Sequence, residues 1–176
     1  MTLASAEVLH SSQSSRKDEL LAKLGGKQVL NAAVDRFYDR LLQDPELQRF
    51  FHGNNISVLK WHQFNFMSIA FTTMPKDLDV EHLVLNKHAK LFEMGLNESH
   101  FDLMMKHLRS TFEELDIDKA LIQEAVQVLT PMRSLFEQGG KAANLREENW
   151  RKGAQAAAAV AVISLLTWRF MATRKR

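Results

Sequence analysis

Apolar positions recur with a helical period from about residue 18 to residue 138. Residues 28–42 carry the cleanest stripe: Val29, Ala33, Phe37, Tyr38 and Leu41 fall on one face. Gly25-Gly26 closes a short helix over 18–24 in front of it. Asp44-Pro45 ends it, because the residue before a proline is disfavoured in helix. One or two turns lead to Phe50-Phe51, and a turn over 52–55 precedes a helix that Ser57 can cap and that runs to about Phe71. After a loop around Pro75, the spacing predicts a helix over 80–92, a break at Gly95, and a helix from about Glu98 to Leu115 capped by Asn97. A last helix starts at Asp116 or Asp118; Pro131 is expected to kink it and Gly139-Gly140 to end it. The class is all-α.

One stretch resists the pattern. In "KWHQFNF" (60–66) the stripe Leu59, His62, Phe66, Ile69 is expected to be buried, yet it contains His62 and has Gln63 beside it. A face that needed only packing would hold Leu or Val at both places.

Composition narrows the choices. The chain has 176 residues, enough for one domain and an appendage, and 45% of them are hydrophobic. The net charge is +2, with several cations crowded into the last eight residues, so no basic nucleic-acid surface is expected. The absence of cysteine excludes disulfides, thiolate metal sites, a cysteine nucleophile and thioether-linked haem. Residues 1–17 are Ser-rich without an apolar core and are expected to form a disordered leader. Residues 139–152 read as a polar connector. Beyond them, 153–168 is a run of sixteen uncharged residues, and 153–176 as a whole, with Trp168 and a basic end, is expected to anchor the chain in a membrane. An Ala-rich helix docked on the domain or a partner is the other reading of that segment.

Seven histidines are the only candidates for strong metal ligands besides carboxylates. His100 and His107 are two helical turns apart, too far for a compact chelate. Glu113-Glu114 and Glu147-Glu148 diverge on a helix and read as solvated charges. No Gly-rich phosphate loop, nucleophile elbow or HExxH occurs. A haem makes a different demand: one axial histidine, a wide apolar slot, a wedging aromatic and distal hydrogen-bond donors. His88 stands among Leu85, Leu91 and Phe92; Phe50-Phe51 come from the connector; Tyr38, His62 and Gln63 come from two other helices. Each taken alone has a blander explanation as an ordinary core or surface residue.

Taken together, these segments resemble the group I truncated haemoglobins, which are 2-on-2 helical sandwiches around a haem. The resemblance spans about 19–138 and rests on "LGGKQVLNAAVDRFYDRLLQDPELQRFF", "NNISVLKWHQFNF", "NKHAKL" and "GLNESHFDLMMKHL", in order. It implies a truncated globin domain over 18–138 holding haem b (iron protoporphyrin IX). His88 matches the proximal iron ligand, with His82 on the same helix as the minor rival for that role. Phe51 matches the aromatic against the haem, with Phe37 buried nearby. Tyr38 matches the distal tyrosine and Gln63 the glutamine that supports it by a mutual hydrogen bond. Leu59 falls at a distal gate, and Phe66 and Leu91 are expected to line the haem. His62 matches a position where some cyanobacterial and algal-type relatives carry a histidine or lysine that binds the iron when no gas is present. The Gly-Gly pair usual after the distal helix is replaced here by Phe71-Thr72-Thr73, and the stretch to His88 is longer than usual.

The function implied is reversible binding of oxygen, with nitric oxide or carbon monoxide as further ligands. Oxidation of nitric oxide to nitrate is also implied, and that turnover requires an external reductase. The expected location is a membrane, an organelle outer membrane being the guess, with the globin domain facing the cytosol; a cytoplasmic location is the alternative. From another class, the competing function is a haem-free, tail-anchored helical adaptor that recruits partners to a membrane.

Overall fold

The computed structural model describes residues 20–72, 75 and 77–173, with side chains described as far as residue 155. A helical turn at 20–23 leads into α1 (Gly26–Gln43). Then come α2 (Ile56–Ala70), α3 (Val80–Glu93), α4 (Glu98–Glu114), α5 (Lys119–Leu129) and α6 (Arg133–Thr173). Two 3-10 turns, Gln48–Phe51 and Thr130–Met132, join α1 to α2 and α5 to α6. Among the described residues there is no strand.

Local chemistry accounts for most boundaries. Side chains of Asn55, Asp79, Asn97 and Asp118 accept hydrogen bonds from first-turn amides of α2, α3, α4 and α5. Asn55, not Ser57, therefore caps α2. Gly25 stands at φ 95 before α1, and the Val29 side chain fills the space a Cβ would need there. Pro131 produces the 3-10 break between α5 and α6.

Gly139-Gly140 does not end a helix. Both lie inside α6 and both are buried. An alanine methyl at 139 would overlap the Phe92 ring, and one at 140 would crowd Asn97 and the Leu96 carbonyl. The pair is there so that helices can touch, and the cost of glycine within a helix is offset by that close packing.

Helices α1 and α2 form one layer and α4 with α6 the other; α1 crosses α4, and α3 lies on α6. The core between the layers includes Leu30, Leu41, Met67, Leu108, Phe112 and Ile122, all essentially inaccessible. Each contributes roughly 1.5–3 kcal/mol by leaving water. Ion pairs tie α1 to its neighbours, Arg36 and Arg40 to Glu114 and Lys60 to Asp35. Packing continues past residue 138 as far as Ala143, half-buried against the core.

The expected leader lies outside the described residues. No helix of the described residues is long and apolar enough to cross a membrane. Helical backbone continues through residue 173, and the apolar part of the expected anchor lies beyond the last described side chain.

Candidate functional site: half-buried rows on the second and third helices

Helix α2 is rich in large apolar residues, yet Met67 and Ala70 are its only buried positions. Leu59, Phe64 and Phe66 stay half-buried, and Val58, Trp61 and Ile69 are exposed. Helix α3 shows the same deficit, with Leu85, His88 and Leu91 half-buried. The two helices are each packed on a different neighbour and barely on each other. The spacing Leu59, Gln63, Phe66 on one and Leu85, His88, Leu91 on the other sets a half-buried row along each helix.

On the α3 side, His88 Nδ1 lies 2.8 Å from the Val84 carbonyl oxygen, one turn back. A carbonyl only accepts, so Nδ1 carries the proton and Nε2 is left with its lone pair. The imidazole sits against Phe136 at 5.4 Å between ring centres and Phe92 at 6.2 Å. Burial pushes its pKa below the usual histidine value, partly countered by the bond to Val84. A neutral ring with its Nε2 free is the form that binds a metal.

From the α1 side, Tyr38 is 6% exposed and packs edge-on against Phe37 at 6.0 Å and Phe51 at 5.8 Å. Burial raises its pKa to about 12. Phe37 is buried as expected, and Phe51 is half-buried at the mouth of the connector. The expected hydrogen bond between Tyr38 and Gln63 is not formed: among the described residues neither side chain has a hydrogen-bond partner in the protein.

The expected burial of His62 is corrected too. It is exposed rather than buried, its ring edge-on to the exposed Trp61 at 5.0 Å. The helix turns its fully buried face, Met67 and Ala70, toward α1, which leaves the Leu59–Ile69 row at the open edge. His82 is exposed and its ring lies 2.8 Å from the Asn86 side chain, whereas His88 is half-buried in line with Leu85 and Leu91. In place of a Gly-Gly pair, α2 ends on Phe71, wholly buried, whose carbonyl accepts from Leu21 N at 3.2 Å, and on Thr72, whose hydroxyl donates to Ser68 O at 2.7 Å.

A profile of the family described as "Bacterial-like globin" matches residues 19–138. The chain belongs to that family. Among its relatives, Group 1 truncated hemoglobin GlbN of Synechocystis is 36% identical over 110 residues, covering 62% of this chain and 87% of that protein. Group 1 truncated hemoglobin LI410 of Chlamydomonas moewusii is 31% identical over 119 residues, covering 65% and 66%. The crystal structure of Chlamydomonas reinhardtii THB4 aligns with a TM-score of 0.59 at 36% identity, covering 67% of this chain and 94% of that one. The 2/2 hemoglobin of Synechococcus sp. PCC 7002, solved in the cyanomet state with covalently attached heme, gives 0.56 at 30% identity over 63% and 89%.

This is a 2-on-2 truncated globin, and its cofactor is haem. The residues present fit that group: half-buried apolar rows on α2 and α3, and among them one neutral histidine with a free Nε2. Leu59, Phe66, Leu91 and Phe51 would hold the macrocycle. Sequence reasoning missed Phe136, which packs on His88, and Gly139, which packs on Phe92. A phenylalanine in an amphipathic helix and a glycine pair carry no mark of that role.

Proposed function

We propose that the chain binds a b-type haem through His88 Nε2 and reversibly takes up a diatomic gas, chiefly oxygen, on the opposite side. The observation that carries this is the His88–Val84 bond, which fixes the tautomer in a partly buried apolar setting. Bound haem supplies the iron at which oxygen, nitric oxide or carbon monoxide coordinates. Tyr38 keeps its proton throughout the physiological range and donates it in a hydrogen bond to the gas. Gln63 adds an amide donor from α2. Both groups lack protein partners among the described residues, so a ligand need not break a bond to gain theirs.

His62 acts as an internal sixth ligand when gas is absent. It is tethered on the distal helix, and no hydrogen bond among the described residues holds its ring. An intramolecular ligand competes at high effective concentration, and gas affinity falls in proportion to the time the position is closed. Oxidation of nitric oxide to nitrate consumes one oxygen molecule and one electron per turnover, the electron coming from an external reductase. The tail over 153–176 holds the globin domain at an organelle outer membrane, facing the cytosol; its uncharged run and basic end support this.

Absorption spectroscopy of the purified full chain after haem titration tests the proposal. A Soret band saturating at equimolar haem and shifting under carbon monoxide is expected. No such band would leave the haem-free adaptor. Resistance of the membrane-bound chain to alkaline carbonate is expected for the tail, and full extraction would refute the anchor.

A further inference from the structure

Three contacts surround the His88 imidazole, and they differ in what they constrain. The Val84 carbonyl, 2.8 Å from Nδ1, fixes the direction of the ring's back edge. Phe136 from α6, at 5.4 Å and 52°, and Phe92 from the next turn of α3, at 6.2 Å and 43°, pack tilted against the imidazole and limit rotation about the Cβ–Cγ bond. Those two phenylalanines are themselves locked. Their rings meet edge-to-face at 5.9 Å, and Phe101 of α4 backs Phe136 at 5.1 Å. Phe92 in turn rests on the bare backbone of Gly139, where a methyl group would overlap its ring.

We propose that α6 sets the rotation of the proximal imidazole: Phe136 and Gly139 are positioning residues, Phe136 by touching the His88 ring and Gly139 by leaving room for Phe92 to do so. This rests on His88 being the iron ligand. The rotation of that ring decides how its plane meets the macrocycle, and hence the strength of the iron–histidine bond and the grip on gas. Gly140, the neighbouring position, gives the internal comparison. It is also close-packed, though less tightly, and against other groups: a methyl there would come to 3.0 Å from Asn97 Cβ and 3.2 Å from the Leu96 carbonyl oxygen, at the α3–α4 turn.

The test is resonance Raman spectroscopy of the iron–histidine stretch, recorded on the haem-loaded full chain just after photolysis of carbon monoxide, when His62 is not bound. Gly139→Ala is expected to shift or split that band and to change carbon monoxide rebinding several-fold, because the displaced Phe92 ring turns His88. Gly140→Ala is expected to lower thermal stability while leaving the band in place. Phe136→Leu keeps apolar volume and removes the ring contact, so it should broaden or shift the band, and it answers the question if Gly139→Ala does not fold. An unchanged band in Gly139→Ala and Phe136→Leu, or an equal shift in Gly140→Ala, would overturn the positioning role. Absence of an iron–histidine band in the unmutated protein would instead overturn the ligation by His88 on which it rests.

Discussion

His107 Nε2 lies 2.7 Å from Asp44 Oδ2, joining the middle of α4 to the end of α1. Asp44 also caps the chain's turn away from α1, accepting from the amides of Glu46 and Leu47. Burial pushes its carboxyl pKa up, but the bonds from His107 and the two amides outweigh it, and the net shift is downward from 3.8. A lowered carboxylate contributes stability that is present above its ordinary pKa and is lost as pH falls through the folded value. Asp44→Asn should therefore cost about 1 kcal/mol at neutral pH. The difference from wild type, measured by urea unfolding, should close as pH drops below 3.8.

Tyr38 is the chain's only tyrosine, so its ionisation can be followed alone by ultraviolet absorption in the haem-free protein. The midpoint is expected at about 12. Since the fold favours the protonated phenol, stability should decline as pH rises beyond the ordinary value of 10.0. Tyr38→Phe removes the donor to the gas, and oxygen should then dissociate roughly tenfold faster, the equivalent of one hydrogen bond of ~1.4 kcal/mol. A titration midpoint near 10.0 would mean that the phenol is not buried in solution.

The packed part of α6 extends beyond the globin profile, through buried Gly139 and Gly140 to half-buried Ala143. Ending the chain after Gln138 strips the support beneath Phe92, whereas ending it after Lys152 keeps it. The shorter form should melt lower by roughly 5–10 °C. Equal melting temperatures would show that the last turns of α6 add nothing to the domain.

His62 as an internal ligand predicts low-spin absorption spectra in both oxidation states of the gas-free protein. His62→Leu should turn them high-spin and speed gas binding. A wild-type spectrum that is already high-spin at neutral pH would rule out the switch.

Much of the fold was legible because its punctuation is local. Asn97 and Asp118 announce helix starts by their side-chain chemistry, and Pro131 announces a break. Gly139-Gly140 misled because glycine weakens a helix by propensity, and nothing in one sequence reveals that Phe92, some 47 residues earlier, needs the space. His62 misled in the opposite way. Helical spacing puts it in line with Leu59 and Phe66, but spacing cannot tell a face packed on another helix from one left at the surface. Tyr38 and Gln63 were recognisable through family resemblance, while their lack of protein partners is a property of three-dimensional placement alone.

The most direct test of the site is the ferrous, carbon-monoxide-photolysed spectrum of two single variants, His88→Gly and His82→Gly, each loaded with haem. Ligation by His88 predicts that His88→Gly loses the iron–histidine band and regains one when free imidazole is added to fill the space, while His82→Gly keeps the wild-type band. A His88→Gly protein that retains that band without imidazole, with His82→Gly losing it, would contradict the assignment.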